Sequence, residues 1–394
     1  MRHHRFRVLA AATVAVLTLA ACGGSDESSD DATGEPTTEE SDDRPAVGDE
    51  ESGSESASDD AESGSESASG DGGDDAADDS GDAGATGISG AELPIEIEHA
   101  FGTTVIEEVP ERVATVNWAN HEVPLALGVV PVGMASADFG DDDGNGMLPW
   151  VEEELETLGA EPPVLFDETD GIDFEAVADT QPDVILAAYS GLTQEDYDTL
   201  TEIAPVVAYP ETAWGTSWQD VITYNAAGLG MVEEGEELIT ELQGEIDETV
   251  AAHPELEGVS TMFMTHVDVS DLSTVNFYTA NDTRAAFFED LGLSTPAAVE
   301  EASASGEFSG SISAEQVDMF EDVELIVTYG DQELVDTLEA DPLLSQMPAV
   351  ESGAIVFLDG SGPMGTAANP TPLSISWVLE DYVALLAEAA AGSQ

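Results

Sequence analysis

From residue 92 onward, short apolar runs alternate with stretches whose apolar positions recur at helical spacing. "RVATVN" (112–117), "VVPVGMA" (129–135), "PDVILAAY" (182–189) and "PVVAY" (205–209) are compact and rich in β-branched residues. They predict buried strands. Between and after them lie "EVPLALG", "TQEDYDTLTEIA" and "SWQDVITYNAAGLG", which predict helices, the first and last stopping at glycine. The alternation then restarts. "VSTMFMTHV", "VNFYTA", "VELIVTY" and "AIVFLD" read as strands, with helices around Arg284, after Tyr329 and from about Leu373. Strands alternating with helices argue for an α/β fold with largely parallel sheets.

One long helix separates the two series. From about Val232, apolar residues fall at Leu238, Ile239, Leu242, Ile246 and Val250, and Pro254 follows the end of the pattern. The halves also resemble each other locally. "DFEAVADTQPDVILAAY" and "SAEQVDMFEDVELIVTY" each place a glutamate (Glu175, Glu315) at the start of a short helix, then a strand ending at Tyr189 or Tyr329. Two Rossmann-like lobes with central, mainly parallel sheets joined by one helix predict a ligand cleft beyond the strand ends. The expected divisions are 92–231 for the first lobe, 232–253 for the connecting helix and 254–394 for the second lobe.

The first 91 residues follow different rules. A basic start, "MRHHRFR", precedes an apolar run from Val8 to Ala21, too short to span a bilayer. The run ends in Leu-Ala-Ala before Cys22, the single cysteine of the chain. A lone thiol excludes an intrachain disulfide and a cysteine-cluster metal site. Residues 1–22 resemble a bacterial lipoprotein signal peptide, which implies acylation of Cys22 and anchoring to the membrane on its extracytoplasmic face. Residues 23–91 are almost entirely Ser, Gly, Asp, Glu and Ala, with "ESGSESAS" occurring twice, and predict a disordered acidic tether.

Charge sharpens the picture. The chain carries 85 acidic residues against six lysines and arginines and a formal net charge of −79. All six are arginine, and only Arg112 and Arg284 lie beyond residue 44. Such a surface excludes nucleic acid and anionic membrane faces as partners and resembles those of salt-adapted proteins. Arg112, in "PERV", predicts a structural ion pair. For Arg284, in "NDTRAAFFEDLG", a surface pair with Glu289 or Asp290 competes with a role in the cleft.

The acid loop "DDDGNGMLPWVE" fits an oxygen-ligand calcium pattern: Asp141, Asp143, Asn145, the Met147 carbonyl and Glu152, with Gly146 at the turn. The stretch before it does not read as a helix, so an EF-hand pair is not expected. The histidines are too scattered for a zinc cluster. There is no P-loop and no G-x-S-x-G nucleophile elbow. A lipoprotein hydrolase with an unrecognised dyad is therefore a remote alternative, and no enzyme activity or required cofactor is expected.

"PERVATVNWANHEVPLALGVVPVGMA", "FEAVADTQPDVIL", "LTEIAPVVAY" and "DPLLSQMPAVESGAIVFLD" together resemble, in order, the siderophore and cobalamin type of ABC-transporter substrate-binding protein. The resemblance covers nearly all of residues 92–392. It implies a class III periplasmic-binding-protein fold and a monomeric lipid-anchored protein that delivers a ferric siderophore to permease subunits. Cobalamin or haem is the alternative ligand. It also implies that Glu175 and Glu315 dock on permease arginines. Of three cleft arginines in tris-catecholate binders it retains one, Arg284, with Tyr189 and Tyr329 at the other strand ends. A neutral or cationic hydroxamate-type ligand is therefore expected, with Tyr189 as a hydrogen-bond partner. Trp118, Trp214 and Trp218 are expected as aromatic walls, and Met364 as a contact from the loop before the last helix.

Overall fold

The computed structural model describes residues 88–89, 92–360 and 362–392. The leader, Cys22 and nearly all of the acidic tether lie outside the described residues. No helix among those described is long and apolar enough to cross a membrane.

Five parallel strands form the first sheet, in the order Val164–Phe166, Gly133–Ala135, Val113–Thr115, Val184–Ala187 and Val206–Ala208. Val184–Ala187 is buried along its whole length, as a strand covered by helices on both faces must be. Ahead of it lies an antiparallel meander of Ile88–Ser89, Ile95–His99 and Gly102–Ile106. In "IEIEH" the two isoleucines and the histidine face inward and the glutamates face water. That period of two marks a strand with one wet face. The second sheet is parallel and three-stranded, in the order Ile355–Leu358, Leu325–Tyr329 and Thr261–Phe263. The expected strand near Val275 stands apart from it: Thr274–Tyr278 pairs antiparallel with Ser309–Ser313.

The connecting helix runs Val232–Ala251 and buries Leu242 and Ile246. It crosses Trp218–Leu229 closely at Gly235, where a Cβ would stand 2.6 Å from that of Ala226. The last helix, Pro372–Gly392, turns Ile375, Leu379, Tyr382, Val383 and Leu386 into a core that also holds Val123, Trp150, Leu242, Phe263 and Leu325. One apolar core thus runs through both halves, which ties them together by burial as well as by the connecting helix.

Candidate functional site

Two strand ends and one helix start converge between the halves. Tyr189 follows Val184–Ala187, Tyr329 ends Leu325–Tyr329, and the helix Thr283–Asp290 begins beside both. Tyr189 Oη lies 3.3 Å from Thr283 Oγ1, and Thr283 Oγ1 in turn bonds Asn369 Oδ1. The backbone at Tyr189 is fixed by a buried asparagine. Asn120 Nδ2 donates to the Tyr189 and Val116 carbonyls at 2.9 and 2.8 Å, while its Oδ1 accepts from the Tyr189 amide and from Asn225, each at 3.0 Å. Every polar atom of the Asn120 side chain is engaged, so the loops after two neighbouring strands move together.

Trp214 covers this floor. Its ring meets Tyr189 edge-on at 5.5 Å, and its indole lies so close to Gly191 that a Cβ there would be 2.4 Å from Nε1. It is 42% exposed and holds a left-handed backbone, φ 60°. Bulky residues avoid that region, and strain of this kind collects at functional sites.

Arg284 lies across the floor in the second half. Its Nε and Nη2 donate to Asp282 Oδ1 and Oδ2 at 2.8 and 2.7 Å, its guanidinium stands 3.7 Å above the Tyr278 ring, and Nη1 reaches Tyr329 Oη at 3.4 Å. Burial works against its charge, but the Asp282 carboxylate outweighs burial and keeps it protonated. Burial raises the Tyr189 and Tyr329 phenols and pushes Tyr278 up to about 12, so all three are neutral hydroxyls at physiological pH. His266 stacks on Tyr329 at 4.6 Å from the solvent side.

A cavity of about 960 Å³ opens between the halves, bordered by Thr212 and Gly215 of the Trp214 loop and by Asp282, Thr283 and Phe308 opposite. Glu98, Glu211, Asp220 and Glu307 also line it. Its size lies within the usual range for small-molecule sites.

Other expected residues take different places. Trp218 is buried and donates its indole N–H to Asp290 Oδ2 at 3.0 Å. It joins two helices across the halves instead of lining the cleft, because the Ser217 cap starts its helix with that ring turned into the core. Trp118 is half-buried beside a separate small cavity shared with His121 and Met147. Its neighbours Asn117 and Ala119 both hold positive φ. Met364 packs on the shared core from the short helix Pro363–Ala367, and Asn369 makes the contact with Thr283.

In the acid loop, Asp141 accepts the amides of Asp143, Gly144 and Gly146, Asp143 accepts that of Asn145, and Asn145 donates to Glu152 at 2.7 Å. The oxygens expected to face calcium satisfy the loop's own donors. Among the described residues no three His, Cys, Asp or Glu side chains converge as metal ligands. Among the described residues Arg112 makes no ion pair. It donates to the Thr180 and Gln181 carbonyls at the end of the helix Phe174–Asp179, where a cation complements unpaired carbonyls. Glu175 and Glu315 are both exposed in first helical turns, behind caps supplied by Asp173 and Ser313.

Asn120, Asp282, Thr283, Tyr278 and Asn369 had no motif to mark them. The one available signal was Asp282 as an N-cap candidate immediately before "TRAAFF".

The family model described as "Periplasmic binding protein" matches residues 113–361. The crystal structure of PiaA from Streptococcus pneumoniae TIGR4 in complex with ferrichrome superposes with a TM-score of 0.72 at 41% identity, covering 76% of this chain and 99% of that one. The ferric enterobactin-binding periplasmic protein FepB of Escherichia coli is 25% identical over 293 residues, 70% of this chain and 87% of its own. The probable siderophore-binding lipoprotein YfiY of Bacillus subtilis is 29% identical over 154 residues. There the match spans 39% of this chain and 43% of the relative, less than half its length. With a family match from the first strand of the parallel sheet to the loop before Met364, and a superposition over nearly the whole of PiaA, this chain belongs to the periplasmic binding protein family.

Proposed function

We propose that the protein is the substrate-binding component of an ABC importer, capturing a ferric siderophore of hydroxamate type between its halves and presenting it to a membrane permease. Tyr189, Trp214, Arg284 and Tyr329 group at the floor between the halves, and the loop around Trp214 and the start of the Arg284 helix border the cavity; this arrangement carries the reading. A bulky chelate needs a rigid aromatic wall and a few fixed hydrogen-bonding groups. Trp214 supplies the wall, and the neutral phenols and the Arg284 guanidinium supply the polar contacts.

PiaA is solved in complex with ferrichrome, and FepB and FecB are named for ferric enterobactin and ferric dicitrate, so family membership leaves the ligand's charge open. The acidic cavity wall favours the neutral hydroxamate chelate. Glu175 and Glu315 are the docking residues for the permease, and Cys22 is the site of the lipid anchor, which places the protein outside the cytoplasm.

Intrinsic tryptophan fluorescence, titrated in high salt with ferrichrome, ferric enterobactin, haem and cobalamin, tests the reading. Saturable quenching by ferrichrome is expected. Saturation by haem or cobalamin alone would replace the siderophore with those ligands.

A further inference from the structure

Arg284 is the sole arginine or lysine in the second half of the sequence, yet it is not an open positive site. Two parallel N–H···O contacts of 2.8 and 2.7 Å hold its guanidinium against the Asp282 carboxylate, the paired geometry that gives arginine–carboxylate contacts their strength. Asp282 is 4% exposed and also caps the helix it precedes, accepting the Arg284 amide at 3.0 Å. Turning the carboxylate away to free Arg284 would uncap that helix. Asp290, another acid of the same helix, is engaged with the Trp218 indole.

We propose that Asp282 is a specificity-determining residue of the cleft, cancelling the charge of Arg284 and so excluding ferric chelates that carry net negative charge. The guanidinium then serves as a directional donor. Nη1, in a long contact of 3.4 Å with Tyr329, is the arm best placed to turn to a carbonyl or hydroxamate oxygen of a neutral ligand. An anionic ligand must instead compete with a carboxylate covalently fixed beside the guanidinium. It also meets Asp282 itself and the cavity carboxylates Glu98, Glu211, Asp220 and Glu307. The inference rests on the siderophore-binding reading and adds the residue that sets the ligand's charge.

The test removes the charge and keeps the cap, since asparagine and serine both cap helices well. Asp282→Asn and Asp282→Ser are titrated with neutral ferrichrome and triply anionic ferric enterobactin, with folding followed by circular dichroism. The preference for ferrichrome over ferric enterobactin is expected to fall at least ten-fold in both variants, through a gain in enterobactin affinity. Adding Arg284→Gln to Asp282→Asn is expected to abolish that gain. An unchanged preference in the folded variants overturns the inference, as does a gain that survives in the double variant. Failure of the wild-type protein to bind ferrichrome would instead remove the reading on which the inference stands.

Discussion

Tyr189 and Thr283, 94 positions apart in the chain, meet across the cleft floor with Oη and Oγ1 3.3 Å apart. The contact ties the end of a first-half strand to the start of a second-half helix, and Asn369 joins it from the segment before the last helix. Tyr189→Phe removes the hydroxyl and keeps the ring against Trp214. One net hydrogen bond is worth about 0.5–1.5 kcal/mol, so ferrichrome affinity is expected to fall by about two- to twelve-fold. Fluorescence titration reads the change. An unaltered Kd would show that the hydroxyl does not reach the ligand.

Trp214 separates binding from stability. A tryptophan at φ 60° costs on the order of 1–3 kcal/mol, and glycine carries no such cost. Trp214→Gly is therefore expected to unfold at the same or higher denaturant concentration while ferrichrome affinity falls more than ten-fold. Loss of both together would mean that the exposed ring is a structural element.

Glu122 joins the halves from inside. Wholly buried, it accepts the Trp150 indole N–H at 2.7 Å and the Leu373 amide at 2.9 Å, capping the last helix from a residue of the first half. A glutamine has one acceptor oxygen for these two donors and sets its amide against the other. Unpaired buried donors cost about 1–3 kcal/mol each. Glu122→Gln is expected to lose stability in that range and Glu122→Ala to lose more, read from urea unfolding. Equal midpoints for all three proteins would refute the brace.

Acid should loosen the fold through His121. Burial lowers its pKa from 6.5 to about 4, so the folded state holds it neutral while the unfolded chain protonates near 6.5. A depressed histidine contributes full stability above its unfolded pKa, and this is lost as pH falls toward the folded value. Between pH 6.5 and 5 the loss from His121 is about 2 kcal/mol. Buried His99, also lowered to about 4, acts in the same direction. Glu122, raised by burial, acts in the opposite direction. The slope is therefore assigned by comparison with His121→Asn, which should flatten it. An identical slope in the variant would exclude His121 as its source.

The sequence carried the architecture better than the site. The connecting helix was legible because five apolar residues at helical spacing need a partner surface, and it ends within two residues of the expected boundary. The run 129–135 shrinks to Gly133–Ala135 because Pro131 has no N–H for a ladder and Val129 bonds back to the preceding helix. "IEIEH" shows its period of two plainly, yet "SGSIS" (309–313) has too few apolar residues to announce the strand it forms. Gly360–Gly365 has G-x-G-x-x-G spacing, but the helix it opens has five residues. There Gly365 answers a close approach, since a Cβ would stand 2.1 Å from the Asp359 carbonyl oxygen. The partner of Arg284 was expected within its helix, at Glu289 or Asp290, and lies two residues before it. That pairing depends on a side chain folding back over a helix cap, and no periodicity reports it. Thr283 and Asn369 meet only through the folded path of the chain.

Delivery to a permease is separable from capture. Glu175 and Glu315 are exposed in first helical turns of the two halves, where Asp173 and Ser313 supply the caps. A negative charge in a first turn contributes about 0.3–1 kcal/mol, so reversing both should cost little stability. Across a charged docking surface, reversal replaces attraction with repulsion at two points, and like charges set against each other cost several kcal/mol. Glu175→Lys together with Glu315→Lys is therefore expected to leave ferrichrome affinity within about two-fold and to abolish iron-loaded uptake by cells expressing the cognate permease. Single reversals should give intermediate uptake. Normal uptake by the double variant would remove these glutamates from the docking surface, and weakened ligand binding would show that they act on the cleft.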